Sequence, residues 1–289
     1  PPLLWVRYRH VLCFDHDTQA LTYDGPDLAA AVRALDAAVP AGDREGAALS
    51  APEAQAAPAL ANAYEAQVRD ALSRIRDGQF YQVNLSRKLC GTCPQPCTPL
   101  QAYTLFMALC RVSPAPYSAF MAREGCYILS CSPELFLHVD AESRRVITRP
   151  IKGTAARAVA PRALANATKE RAENLMIVDL MRNDLAQMAL PGSVRVPALF
   201  AVDQFTTLQH MSSQVEATLP EHYRLRRLLG HLFPPGSMTG APKYAAMRWI
   251  AAKEAYHRGV YSGVLGWMNG QSCCLSVVIR TLLLGRGRY

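Results

Sequence analysis

No apolar run in the sequence reaches the about 20 residues that a helical membrane span requires. The two longest, 175–180 and 260–268, are interrupted by Asp179 or by glycine. A membrane role is therefore not expected. The start, PPLLWVRYRH, has neither an initiating methionine nor a basic-then-apolar leader, so it reads as a truncation rather than a targeting segment, and the expected compartment is the cytoplasm. A disulfide framework is lacking too: nine cysteines, an odd number, in 289 residues favour reduced thiols. Among them Cys90, Cys93 and Cys97 form CGTCPQPC, but no fourth ligand lies close by, and Cys110 falls in an apolar helical pattern. A proline-rich loop with incidental cysteines is preferred there to a zinc site. Finally, the net charge of +8 is scattered, its densest run being Arg224, Arg226 and Arg227 with no interleaved aromatics. That argues against a nucleic-acid partner and leaves a small anionic substrate.

What is present suffices for one large domain or two ordinary ones, since half of the residues are apolar. Strand-like runs at 3–8 and 11–14 precede a turn at Asp24-Gly25 and an alanine-rich helix at 28–39. Residues 41–61 are alanine, proline and glycine with scattered charges, expected to form a mobile loop. Helical spacing returns at 64–76 and 100–112, around an alternating strand at 80–89. Extended stretches at 117–122, 126–131, 135–139 and in TRPIKGT follow as neighbours, which predicts an antiparallel sheet. A long helix is expected over 163–188, strands over 194–202 and 208–217, and helices over 223–232 and 244–256. Strands at 260–268 and 273–284 flank the hairpin signal Asn269-Gly270. The class is α+β, with helices packed on large antiparallel sheets.

Several residues do not suit their surroundings. Lys152 ends an apolar strand just before Gly153. An ammonium desolvated there loses its proton more readily and becomes a nucleophile or base, although from composition alone a strand-end lysine whose stem snorkels to solvent is the default. Glu134 in SCSPELFL stands where partial burial would let it hold a proton near neutrality, or it is equally an exposed strand-start residue. In KERAENLMIVDLMRNDL, Glu170, Glu173, Asn174, Ile177 and Met181 share one helix face, with Leu175, Val178 and Met188 on others. Glu173 is then either an oxygen ligand for Mg2+ or a solvated charge. Arg182, Asn183 and Asp184 can be capping residues or members of an internal ion pair. GSMTGAPK fails the nucleotide-loop spacing, so it suits another anion or a helix start with Thr239 as cap and Pro242 in the first position. His210 and Arg280 each interrupt an apolar strand, and Arg280 needs a carboxylate partner from protein or ligand.

Taken in order, FYQVNLSRKL, SPELF, TRPIKGT, KERAENLMIVDLMRNDL, LQHMSSQV, GSMTGAPK and YSGVLGW with VVIRT resemble the chorismate-utilising enzymes over about Tyr64 to Leu284. The resemblance implies two large antiparallel sheets packed together with helices outside. Isochorismate-type members have a water-activating lysine where this chain has Gln82, and anthranilate synthases have alanine where it has Lys152. PIKGT is thus similar to the component I enzymes of aminodeoxychorismate synthesis, which serves 4-aminobenzoate and folate formation. That implies Lys152 as nucleophile, Glu134 as proton donor and Glu173 as a Mg2+ ligand. It also implies chorismate contacts at Gly153, Thr154 and Arg280, at Tyr261, and at the pocket residues His210 and Ser237. Ammonia would come from a glutamine amidotransferase subunit. Pro116, Tyr117 and Ser118 match a tryptophan-binding segment of relatives. By the same resemblance residues 1–62 are a remnant N-terminal segment with its loop, and 63–289 a catalytic domain. A glycine-rich turn and a second Mg2+ glutamate would follow Leu284, so the chain reads as cut at both ends. The alternatives are anthranilate synthase component I and an inactive partner-binding module.

Overall fold

The computed structural model describes residues 6–9, 11–30, 32–33, 58–87, 91 and 97–285. Contacts divide the chain into two compact units, Pro1–Glu45 and Gly46–Tyr289. The first holds a hairpin of β1 (Val11–Asp15) and β2 (Ala20–Asp24), with Val11 opposite Asp24. Its turn is set by Asp15, whose Oδ1 accepts from the amides of Asp17 and Thr18 at 2.9 and 3.0 Å, an Asx-type turn. The expected run at 11–14 is the first strand of this pair, and residues 6–8 of the other expected run are not strand. The helix expected at 28–39 is described only to residue 33.

Residues 41–57 of the expected loop lie outside the described residues, whereas in the second unit Pro58 already opens α1 (Pro58–Arg76). Cys90 and Cys93 also lie outside them. Next come β3 (Gln82–Val83) and α2 (Pro99–Val112), the latter started by a capping box between Thr98 and Gln101. Strands β4 (Tyr117–Arg123), β5 (Cys126–Ser132), β6 (Leu135–Asp140), β7 (Arg145–Arg149) and β8 (Ile151–Ala156) follow in succession. The single helix expected at 163–188 is two, α3 (Pro161–Ala165) and α4 (Thr168–Ala186). They part at Asn166, whose φ of −100° and ψ of 0° leave the helical region. Strands β9 (Arg195–Gln204) and β10 (Leu208–Thr218) lead to α5 (Leu225–Leu232), α6 (Gly236–Thr239), β11 (Gly240–Ala241) and α7 (Lys243–Lys253). The last strands are β12 (Val264–Asn269), β13 (Ser272–Val277) and β14 (Thr281–Gly285).

The larger sheet is seven-stranded and antiparallel in the order β12-β13-β6-β7-β10-β8, with β9 also on β10. One face is closed by α4 and α5, so Phe136, Val146 and Val215 pack with Ile177, Val178, Met181, Leu185, Leu228 and Leu232. Val178 is therefore part of the buried face of α4, contrary to expectation. At 100° per residue, positions 174, 177, 178, 181 and 185 form one stripe broad enough to meet a sheet. Each such fully buried aliphatic side chain contributes about 1.5–3 kcal/mol.

The smaller sheet, β14-β5-β4, packs Tyr127, Leu129 and Leu284 on Ala102 and Phe106 of α2. A third cluster joins α1 to α7 through Ala71, Phe80, Trp249 and Ile250. The chain passes between the sheets twice: from β5 to β6 at Pro133-Glu134, and from β13 to β14 at residues 278–280. The expected strand at 273–284 is split at this second passage, where Arg280 has a φ of 50°. The two passages lie together, because Val277 N donates to Glu134 O at 3.0 Å and Cys131 N to Arg280 O at 3.1 Å. The strand expected at 80–89 shrinks to β3, since its partner β11 is only two residues long. Beyond it Asn84 O turns to the Arg258 guanidinium at 2.8 Å.

Candidate active site

Lys152 sits on β8 just past Pro150, a residue without an N–H that breaks the pairing along β10 between β7 and β8. Its half-buried Nζ donates to Ser237 O at 3.0 Å. Next to it Gly153 has a φ of +93°, and a Cβ there would lie 3.1 Å from Cβ and Cγ of Glu170 and 3.3 Å from Cβ of Met211. Only glycine lets α4 press directly against the strand beside the lysine.

Glu134 stands at the first sheet-to-sheet passage and is 4% exposed. Burial pushes its carboxyl above the ordinary value, while the Ser237 hydroxyl, the Lys152 charge and the Ile151 amide favour the anion. Ser237 is thus the common neighbour of acid and amine. The exposed strand-start alternative does not hold, since Glu134 is buried.

Two residues along β8 from Lys152, past Gly153 and the register shift against β10, Thr154 opens a second group. Its Oγ1 lies 2.8 Å from His210 Nδ1, and His210 Nε2 lies 3.1 Å from an Arg280 guanidinium nitrogen. Guanidinium only donates, so Nε2 accepts and the ring proton is on Nδ1, donated to Thr154. Burial and the Arg280 charge push His210 down to about 4, so it is neutral at physiological pH. The Thr154 proton and the remaining Arg280 donors can then serve an anionic or hydroxylated ligand. Arg280 has found a protein partner, a neutral imidazole and not a carboxylate.

The other candidates make contacts of their own. Glu173 is half-buried on α4, with Lys169 at 3.8 Å. Among the described residues no cluster of three or more His, Cys, Asp or Glu could hold a metal ion. Tyr261 is 36% exposed beneath Arg258, whose guanidinium carbon lies 5.8 Å from the ring centre. Pro116 precedes β4, where Tyr117 opens the strand opposite Ser132 and Ser118 Oγ donates to Ala115 O at 2.9 Å. The anion-loop reading of GSMTGAPK is replaced by a structural one. Lys243 is buried, its Nζ at 2.8 Å from Leu232 O and paired with Asp184 of α4. Asp184 is thereby the member of an internal ion pair. Thr239 does not cap α7; its Oγ1 donates back to Pro235 O at 3.2 Å, and Pro242 is itself the N-cap.

The sequence reading missed Arg258 and Glu254, an i,i+4 pair whose spacing was the available signal. Glu254 Oε1 accepts from the amide and hydroxyl of Ser86 at 3.2 and 2.9 Å. Glu170, pressed on Gly153, was noted only as a helix-face residue.

An acid and an amine sharing one serine, with the Thr154–His210–Arg280 chain starting two residues along the same strand, are groups suited to substitution on a small anion. The chain belongs to the chorismate-binding enzyme family, whose sequence model matches residues 1–289. It is 40% identical over 236 residues to aminodeoxychorismate synthase component 1 of Salmonella typhimurium, covering 78% of this chain and 50% of that protein. It is 41% identical over 217 residues to an anthranilate synthase component 1 of Haloarcula marismortui, covering 72% of this chain and 43% of the relative. The chain therefore spans about half the length of these curated relatives. Among solved structures it resembles anthranilate synthase component I from Streptococcus pneumoniae, with a TM-score of 0.79 at 27% identity over 97% of this chain and 65% of the other. The menaquinone-specific isochorismate synthase of Escherichia coli shares the fold, at a TM-score of 0.72 and 19% identity over 90% of this chain and 60% of the other. Among the described residues no helix is long and apolar enough to cross a membrane.

Proposed function

We propose that the chain carries the chemistry of aminodeoxychorismate synthesis: chorismate and ammonia to 4-amino-4-deoxychorismate and water. The observation that carries this reading is the convergence of Lys152 and Glu134 on Ser237. A neutral Lys152 amine attacks C2 of chorismate, the ring double bonds shift, and the C4–oxygen bond breaks. Glu134 gives its proton to the departing hydroxyl, which leaves as water. Ammonia then attacks C4, the bond from C2 to the Lys152 nitrogen breaks, and the amine is regenerated while the surplus proton returns to the Glu134 carboxylate. Gly153 brings the strand close to α4, and Thr154 and Arg280, oriented by His210 between them, hold the substrate's oxygens, as Tyr261 would from the loop preceding β12. Gln82, an amide that cannot take a proton, supports an amine over water as nucleophile.

Mg2+ fits the donors on α4 in kind. Glu173 is a hard oxygen ligand whose ion pair with Lys169 is long, and Mg2+ commonly uses one or two carboxylates plus water and substrate. Glu173 would hold it, and the ion would neutralise and orient the substrate carboxylate. The name "component 1" of the relatives supports a second component, read here as a glutamine amidotransferase that supplies ammonia.

The test is incubation with chorismate, ammonium and Mg2+. Aminodeoxychorismate is expected. Anthranilate with pyruvate release would instead assign the anthranilate synthase reaction, and co-purification of an amidotransferase without turnover would assign a partner-binding module.

A further inference from the structure

The Lys152 amine is aimed by a backbone carbonyl, and that carbonyl belongs to a helix of only four residues. So short a helix cannot hold its own orientation. Asn84 N donates to its Thr239 O at 2.9 Å, and a second restraint comes from the Arg258 side chain. The guanidinium nitrogens donate to Glu254 Oε2 at 2.7 Å, to Met238 O at 2.9 Å, to Ser262 Oγ at 3.1 Å and to Asn84 O at 2.8 Å, and one also meets Glu254 Oε1 at 2.5 Å. These contacts use all five of arginine's N–H donors. The pair is enclosed, with side-chain exposures of 13% for Arg258 and 3% for Glu254. Met238 is the neighbour of Ser237, Ser262 the neighbour of Tyr261, and Asn84 follows β3. One side chain therefore ties together three separate segments, of which that of Met238 carries the Ser237 carbonyl and that of Ser262 has a φ of 63°, a conformation that needs external support.

We propose that Arg258, fixed by Glu254, is a positioning residue that holds the Ser237 carbonyl against the Lys152 amine. Its catalytic importance rests on the reading of Lys152 as a nucleophile; its geometric role does not. A lysine at position 258 could keep the charge pair with Glu254 but offers three donors on one atom, and cannot span Glu254, Asn84 O, Met238 O and Ser262 together.

The test compares Arg258→Lys and Arg258→Ala with the unaltered chain, using acetylation by a water-soluble N-hydroxysuccinimide ester and peptide mass spectrometry. Lys152 is the probe and Lys169, 81% exposed, the internal control. Release of the Ser237 carbonyl predicts Lys152 acetylation about tenfold faster in both variants, with Lys169 unchanged. In the turnover assay the same variants lose about ten- to a hundredfold in kcat, since a misplaced nucleophile costs rate. Wild-type Lys152 acetylation in a folded Arg258→Lys chain overturns the proposal. Loss of the folded state in both variants overturns it as well, assigning Arg258 to global stability. If the unaltered chain turns over no chorismate, the functional reading fails while the acetylation ratio still decides the positioning.

Discussion

Two lysines, Lys152 of PIKGT and Lys243 of GAPK, stand in conspicuous motifs on either side of α6 in the chain. Lys243 is sealed: it pairs with the buried carboxylate of Asp184 and donates to Leu232 O at 2.8 Å. Burial pushes Asp184 up while the Lys243 charge pulls it down. Lys152 has a carbonyl at 3.0 Å and, as its acidic neighbour, a Glu134 that burial biases towards the neutral form. A lysine with a buried counter-ion is a fastener, whereas the Lys152 amine is held by a neutral carbonyl and, among the described residues, has no carboxylate paired with it in a salt bridge. Sequence context makes both look chemical, and only the partners separate them.

Lys152→Ala sharpens the contrast most. It is expected to lower aminodeoxychorismate formation by on the order of a thousandfold or more, with the thermal midpoint near that of the unaltered chain. Lys243→Met should do the reverse, costing about 3–5 kcal/mol in urea unfolding by stranding Asp184, and Lys243→Met with Asp184→Leu should restore most of it.

Glu134→Gln is next, expected to reduce kcat by about 10²–10⁴ because the amide cannot give up a proton. With a raised carboxyl the active protonated form is lost as pH rises through the folded value, so the unaltered chain's rate should fall on that limb and the variant's should not. By the same sign, the stability due to neutral Glu134 is full below 4.5 and is lost as pH rises through the folded value. His210 acts in the opposite direction and gives the smallest effect. Its value falls from 6.5 to about 4, so the unfolded chain takes the proton first and stability declines as pH drops between these values. His210→Asn should flatten that segment of the pH–stability curve.

Much of this was legible in the strand alternation and the helix stripe. The antiparallel neighbours 117–139, the face bearing Asn174, Ile177 and Met181, and the conflict between Lys152 and its apolar strand all follow from local pattern. What stayed hidden depends on partners far away in sequence. Val178 joined the core because a sheet covers a broader stripe than the one assigned. Residues 278–280 left the strand because their chain crosses to the other sheet, where Cys131 N waits for Arg280 O. Arg258 gave only its i,i+4 spacing to Glu254, since its contact with Asn84 O spans 174 residues. The pairing of Lys243 with Asp184 was hidden for the same reason, 59 residues apart.

The most direct measurement is peptide-mapped mass spectrometry after incubation with chorismate and Mg2+ without ammonia. The account predicts a chorismate-derived adduct that has lost water, carried by Lys152 and absent from Lys243. An unmodified Lys152 in a chain that converts chorismate once ammonia is added would contradict it.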